Sequence, residues 1–139
     1  MIYLLDTNVF LHLANRSLGH ENIEWHMSEA GADGLRLSAV TLAELRNKIL
    51  RGPGRVKQER LVFLNVIVAS MQVEDFTAAA AERAAQIMTQ LEASGTRNEW
   101  PDVLIAGQAA ESAYTLVTDD AALLNTPGVT SVNWRLRVN

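Results

Sequence analysis

The chain opens with MIYLLDTNVF (residues 1–10), and this stretch decides how the rest of the sequence is interpreted. Residues 2–5 are aliphatic or aromatic, which predicts a short buried strand that ends directly at Asp6. A carboxylate at the end of a buried strand loses its hydration, and this loss disfavours the charged form. A helix start, a basic side chain or a cation would offset that cost, and the remaining sequence must decide among the three.

Length and composition predict a single globular domain over residues 1–139. The chain is 48% hydrophobic and 20% charged, which is ordinary for a soluble protein. We expect no membrane segment, because no apolar run approaches the roughly 20 residues that span a bilayer. The sequence contains no cysteine, which excludes disulfides and thiolate metal sites and favours a cytoplasmic location.

Predicted strands alternate with predicted helices along the chain. Strands are expected at residues 2–5, 35–38, 71–74, 115–117 and 130–134, and helices at 8–14, 22–32, 41–50, 55–69, 77–93 and 101–113. This alternation predicts an α/β fold, with a mainly parallel central sheet of about five strands flanked by helices on both faces.

Acidic residues from four segments are predicted to meet at one edge of this sheet. Ligands of such sheets bind outside the carboxyl ends of the strands, where the N-termini of the crossover helices also lie. Asp6 follows the first strand, and Asp119 and Asp120 follow the strand at 115–117. Glu44 and Asp102 fall in the first turns of helices that start at the same edge.

Each of these acids also has an ordinary structural explanation. Glu44 fits a capping box with Thr41, and Asp102 at a helix start complements the helix dipole. Asp119 and Asp120 fit a turn. These explanations leave the convergence unexplained, because like charges at one edge repel. A hard divalent cation would offset the repulsion, and oxygen ligands alone favour Mg²⁺ or Mn²⁺ over Zn²⁺.

Two other classes of protein place Asp after a first strand, namely receiver domains and haloacid-dehalogenase-type phosphatases. Both need a lysine late in the fold to contact the phosphoryl group. The only lysines of this chain are Lys48 and Lys57, so neither class fits.

Four segments together resemble the PIN-domain ribonucleases and, among them, the VapC toxins of bacterial toxin–antitoxin pairs. The segments are LLDTNVF (4–10), SAVTLAEL (38–45), PDVLIAGQA (101–109) and TLVTDD (115–120), in the order and spacing of the family. The resemblance implies a single PIN-like domain. It also implies a catalytic acidic quartet that binds the metal, formed by Asp6, Glu44, Asp102 and Asp120. Four supporting polar residues would surround the quartet, namely Thr7, Asn8, Thr118 and Asp119.

The resemblance further implies a function and a set of partners. The chain would be an endoribonuclease toxin that uses Mg²⁺ or Mn²⁺ to activate water against RNA phosphodiesters. It would bind a cognate VapB-like antitoxin and form a homodimer. The alternative is a PIN-fold protein that no longer cuts RNA and acts as a binding or regulatory module. The presence of all four acids argues against that alternative.

Basic residues cluster in one stretch of the sequence. Six of the twelve lysines and arginines fall between Arg46 and Arg60. Such a run is usually a solvated helical face, but its start close to Glu44 also fits contacts to a nucleic-acid backbone. We expect RNA contacts from Arg46, Lys48, Arg51 and Arg55.

Two local features depart from the family pattern, and a third carries more apolar residues than a single buried helix face requires. Lys48 stands where relatives often carry Gly, and Asn133-Trp134 lacks the proline of a frequent Asn-Pro-Trp, so the shape of the groove and the subfamily stay open. The helix predicted at 55–69 carries more apolar residues than one buried face needs. It is either sandwiched in the core or part of an interface with a second copy or an antitoxin.

Overall fold

Five short parallel strands form one sheet in the computed structural model, which describes residues 1–136. In chain order the strands are β1 (Tyr3–Leu5), β2 (Leu35–Ser38), β3 (Gln72–Glu74), β4 (Thr115–Val117) and β5 (Ser131–Val132). The spatial order is β3-β2-β1-β4-β5, and every neighbouring pair is parallel. The predicted α/β fold with a mainly parallel five-stranded sheet is therefore confirmed.

Helices cover this sheet. They are α1 (Thr7–Asn15), α2 (His20–Ala30), α3 (Ala39–Arg51), α4 (Gly54–Ser70), α5 (Ala78–Ala93), α6 (Trp100–Glu111) and α7 (Ala121–Leu124), with a 3₁₀ turn at Ala32–Gly34. All six predicted helices are present, and α7 is additional because four residues are too few to show a helical period.

The start of α3 corrects one prediction. The helix begins at Ala39, and the Ser38 hydroxyl caps it by accepting the backbone N–H of Val40 at 3.0 Å. Thr41 therefore lies inside the first turn, and the predicted capping box between Thr41 and Glu44 is wrong. Ser38 was overlooked because it also ends β2, and a strand residue can serve as the cap of the helix that follows.

The central strand faces apolar side chains on both sides. Leu4 and Leu5 are both fully buried, and they belong to two separate clusters. Leu5 packs with residues from α1 to α4, whereas Leu4 packs with residues from α5, α6 and α7. Consecutive strand residues point to opposite faces, so a sheet covered on both sides needs an unbroken apolar run.

Helix α4 buries one face and exposes another. Leu64 and Ile67 lie in the core, but Val62 and Val66 are 54% and 60% exposed. The interpretation that this helix is sandwiched in the core is therefore wrong, and its excess of apolar residues faces outward. Within residues 1–136, no helix combines the length and apolar character needed to cross a membrane.

Candidate active site

Asp6 lies at the carboxyl end of the central strand and is only 1% exposed. It precedes α1 as its cap, and its Oδ1 accepts the backbone N–H of Thr7 at 2.7 Å. Its Oδ2 accepts the hydroxyl of Thr118 at 3.0 Å. The side chain is thus fixed in orientation from two sides, by the start of α1 and by the segment that follows β4.

The hydrogen bonds to Asp6 do not fully compensate for its burial. Burial and then the negative charge of Asp102 raise the pKa of Asp6 from 3.8 to about 7, against the opposing effect of the two hydrogen bonds. Glu44 adds a smaller contribution in the same upward direction. The helix start therefore offsets only part of the cost, and the charged form of Asp6 remains disfavoured near neutral pH.

Thr7 connects Asp6 to Glu44 on α3. Its hydroxyl lies 2.6 Å from Glu44 Oε1 and 3.1 Å from the hydroxyl of Thr41. A hydroxyl has one proton to donate, so Thr7 donates to the carboxylate and accepts from Thr41. This chain of contacts joins the start of α1, which follows Asp6, to α3. Glu44 lies in the second turn of α3 rather than in the predicted first turn, because the helix begins at Ala39.

Asp102 lies in the first turn of α6, as predicted. Burial raises its pKa from 3.8 to about 6. The charges of Glu44 and Asp120, and then that of Glu99, act in the same direction. The pKa of Asp102 is therefore raised by acids from two other segments, α3 and the residues before α7, and by Glu99 at the start of its own helix.

Asp120 caps α7. Its Oδ1 accepts the backbone N–H groups of Ala122 and Leu123, at 2.9 and 3.2 Å. Its own N–H donates to the hydroxyl of Thr118 at 3.1 Å, so Thr118 bridges Asp120 and Asp6. Asp120 is thus a helix cap rather than a simple turn residue, and its other oxygen, Oδ2, is contacted by Asn98 Nδ2 at 3.4 Å.

The four predicted acids, Asp6, Glu44, Asp102 and Asp120, are coupled electrostatically rather than packed side by side. Asp6 is coupled to Asp102 and Glu44, and Asp102 is coupled to Glu44 and Asp120. None of the four forms an ion pair with a basic residue of the described chain. Among residues 1–136, no three acidic or histidine side chains are close enough together to enclose an ion directly.

Asp119 points to a different set of partners. His12 Nε2 and Arg135 Nη1 lie 2.9 and 2.8 Å from its Oδ2. Burial acts to raise the pKa of Asp119, but the hydrogen bonds and charges of Arg135 and His12 outweigh it and the pKa is lowered. Asp119 is therefore an ion-pair residue, and Asp120 is the one coupled to the other acids.

Comparison with known proteins identifies the family of this chain. A PIN domain profile matches residues 3–129. The chain belongs to the PIN domain family. Ribonuclease VapC2 of Rickettsia felis is 27% identical over 137 residues, which covers 96% of this chain and 98% of that protein.

Solved structures agree with that assignment. The crystal structure of VapBC2 from Rickettsia felis, bound to a DNA fragment from their promoter, matches with a TM-score of 0.85 at 25% identity, covering 96% of this chain and 99% of that one. VapBC-5 from Mycobacterium tuberculosis matches with a TM-score of 0.74 at 29% identity, covering 95% and 98%. The resemblance inferred from the four sequence segments is confirmed.

The predicted basic residues of this PIN domain lie on the surface of α3 and α4. Lys48, Arg51 and Arg55 are exposed and Arg46 is partly buried. None of the four forms an ion pair within the described residues. Their charges are therefore available to a ligand, and their predicted contacts with RNA stay a prediction.

A groove lies beside these basic residues. It has a volume of about 210 Å³ and is lined mainly by apolar residues of α1, α3 and α4, with Lys48 and Arg60 among them. Phe63, which is 36% exposed, also lines it. The PIN domain thus presents an apolar depression that carries positive charge.

Sequence patterns did not predict several residues that contact the site, and the described part of the chain gives no contact that explains one residue that they did predict. His12 and Arg135 hold Asp119 across 107 and 16 positions of sequence, and Asn98 contacts Asp120 across 22. No local spacing signals such contacts. Asn8, predicted as a supporting residue, is exposed, and its role stays a prediction.

Proposed function

We propose that this PIN domain is a VapC-type toxin, an endoribonuclease that depends on Mg²⁺ or Mn²⁺. The observation that carries the proposal is Asp6, a buried carboxylate whose pKa is raised to about 7 and which is coupled to Asp102 and Glu44. Gathering these charges is unfavourable on its own and becomes favourable when a cation neutralises them. The name of the relative Ribonuclease VapC2 supports the reaction class.

The donor set fits a hard divalent ion. Asp6, Glu44, Asp102 and Asp120 offer only oxygen atoms, which suit Mg²⁺ or Mn²⁺. Because no three such side chains converge within the described residues, the fit requires an ion that retains several waters, as Mg²⁺ does. When bound, the ion would lower the pKa of an attacking water and offset charge that develops on the phosphate.

The side chains around the acids contribute orientation and proton transfer. Thr7 and Thr118 hold Asp6 in one orientation, and Thr7 also holds Glu44. Asp102, whose pKa is raised to about 6, is more exposed than Asp6 and is suited to accept the proton of the attacking water. Hydrolysis then requires no histidine at the reacting phosphate.

The substrate assigned to this site is RNA, held by the basic surface of α3 and α4. Lys48, Arg51 and Arg55 are exposed and would contact phosphates, with Arg46 closer to the acids along α3. A substrate backbone is repelled by the acidic quartet, so positive charge beside it is needed for binding. These contacts would give affinity without base specificity.

A VapB-like antitoxin is the proposed partner, because the solved relatives include VapBC pairs. The apolar groove between α1, α3 and α4 is the surface assigned to it, and Lys48 and Arg60 favour an acidic amphipathic segment. We also propose a homodimer, which would cover the exposed Val62 and Val66 of α4. Light scattering with Val66→Glu tests the dimer, and a variant as dimeric as the wild type would exclude this face.

Cleavage of a mixed pool of structured RNA tests the reaction. Wild-type protein is assayed with Mg²⁺ or Mn²⁺ and with EDTA, beside Asp102→Asn and the matched control Asp33→Asn. Asp33 is exposed in the turn before β2, at the other end of the strands. Metal-dependent cutting that is lost in Asp102→Asn and kept in Asp33→Asn is the expected result. Absence of cutting, with metal and RNA bound equally by both proteins, would favour the non-catalytic binding module.

A further inference from the structure

Asn98 lies in the loop between α5 and α6, four residues before Asp102. Its Nδ2 donates to Asp120 Oδ2 at 3.4 Å. The loop that leads into α6 is therefore linked to the segment between β4 and α7. Asp102 lies in the helix that follows the first of these segments, and Asp120 lies in the second.

The orientation of the Asn98 amide follows from what surrounds Asp120. Asp120 Oδ1 already accepts two backbone N–H groups, so Oδ2 is the oxygen left for other partners. A flipped amide would set two acceptor oxygens against each other. The NH₂ group therefore faces the carboxylate, and the carbonyl oxygen of Asn98 points elsewhere.

That carbonyl oxygen has no hydrogen-bond partner although it is buried. It is the single buried side-chain polar atom without a partner in the described part of the chain. Buried polar atoms in native proteins are nearly always paired, so an exception beside a proposed catalytic site calls for an explanation. A hydrogen-bond donor on a bound ligand would give the carbonyl oxygen of Asn98 its missing partner.

We propose that Asn98 is a positioning residue of the acidic site. Its amide holds Asp120 Oδ2, and its carbonyl oxygen accepts a hydrogen bond from an O–H group of the ligand. This inference rests on the proposed metal-dependent function. Two sources supply such a group: a water of the hydrated cation, or the 2′-hydroxyl of RNA.

Each source predicts a different loss of binding when Asn98 is replaced. Residues that orient a metal ligand typically change metal affinity by about 10- to 100-fold when they are removed. A contact to the 2′-hydroxyl instead separates RNA from DNA at the same site. Two assays therefore distinguish the two sources. The first measures metal binding without nucleic acid, and the second compares the binding of RNA and DNA of the same sequence without metal.

The experiment compares the wild type with Asn98→Ala and the matched control Asn125→Ala. Asn125 is exposed at the end of α7, and its amide donates to the backbone oxygen of Ala121 rather than to an acid. Mn²⁺ affinity is measured by electron paramagnetic resonance without nucleic acid. Fluorescence anisotropy in EDTA then gives the affinities for an RNA oligonucleotide and its DNA counterpart.

The expected result is a Mn²⁺ affinity about 10-fold or more weaker in Asn98→Ala and unchanged in Asn125→Ala. Unchanged Mn²⁺ affinity with a lost preference for RNA over DNA would assign the oxygen to the 2′-hydroxyl. Equal values for the wild type and Asn98→Ala in both assays would overturn the inference alone. A wild-type protein that binds neither Mn²⁺ nor RNA would overturn the proposed function and this inference with it.

A second variant keeps the test decisive if Asn98→Ala does not fold. Asn98→Asp keeps the shape and the acceptor but replaces the donor with a charge that repels Asp120. We expect Asn98→Asp to melt at a lower temperature than the wild type in EDTA and to recover with Mn²⁺. A melting temperature that Mn²⁺ does not move in this variant, while it moves in the wild type, would overturn the inference.

Discussion

Replacing Asp6 by Asn should stabilise the metal-free protein at neutral and alkaline pH. Asn has nearly the same shape, so its oxygen can accept the N–H of Thr7 and its amide can donate to Thr118. What the variant removes is the charge, which is disfavoured by burial and by the charge of Asp102. A change that abolishes the proposed chemistry should therefore increase the free energy of unfolding.

The size of the effect follows from the raised pKa of Asp6. The folded pKa of about 7 exceeds the ordinary aspartate pKa of 3.8, so the folded state binds the proton more tightly than the unfolded state does. At about 1.4 kcal/mol per pKa unit, the cost of the charge reaches roughly 4 kcal/mol at about pH 8. It falls to roughly 2 kcal/mol near pH 5 and vanishes below about pH 4, where both states are protonated.

Urea denaturation followed by circular dichroism measures this difference, with EDTA present so that no cation offsets the charge. The wild type should lose stability as the pH rises from about 4 to about 7, and Asp6→Asn should lose less. The advantage of the variant should grow by about 2 kcal/mol or more between about pH 5 and about pH 8. A variant less stable than the wild type at the higher pH, or an advantage independent of pH, would refute the reasoning.

The same chemical change at Asp119 provides a control of opposite sign. Hydrogen bonds and charges from Arg135 and His12 lower the pKa of Asp119 despite its burial, so the charged form stabilises the fold. This contribution is present above the unfolded pKa and is lost as the pH falls through the folded pKa. Asp119→Asn should therefore destabilise the protein at neutral pH, by about 1 kcal/mol or more.

Two further predictions concern RNA binding and packing. Charge reversal at Arg51 and Arg55 should weaken RNA binding and make its dependence on salt shallower, because phosphate contacts release counterions. Unchanged affinity across a salt titration would remove these residues from the RNA surface. Gly107→Ala should lower the melting temperature, since its Cβ would approach within 2.6 Å of the Ala84 backbone on α5. Gly54→Ala is the control: its Cβ meets nothing within 4 Å, so a helix start should tolerate it or gain slightly.

The arrangement of elements was predictable because it depends on local patterns. Apolar runs that alternate with amphipathic segments predicted the parallel sheet, and Asp6 directly after an unbroken apolar strand pointed to its carboxyl edge. The placement of Asp102 in the first turn of a helix followed from the preceding proline. The short α7 was missed, because four residues carry no period.

Within the site, local sequence patterns gave one wrong prediction, the capping box, and could not by themselves assign the roles of Asp119 and Asp120. The Thr41-x-x-Glu44 spacing matched a capping box, but Ser38 was available as the cap and Glu44 instead accepts the hydroxyl of Thr7. Turn chemistry alone did not distinguish the two neighbouring aspartates, and only the family resemblance favoured Asp120 over Asp119 as the fourth acid. Only the packing of α1 and the C-terminal segment against Asp119 separates their roles.

The sequence by itself determined which residues form a buried parallel sheet and which acids follow its strands, since burial pattern and chain order are local properties. The tertiary structure alone decided which partners those acids meet. Arg135 reaches Asp119, and Asn98 reaches Asp120, across segments that are distant in sequence. Such pairs depend on how helices and loops pack over the sheet. The raised pKa of Asp6 has the same origin, because burial and the charge of Asp102 act on it only after the chain has folded.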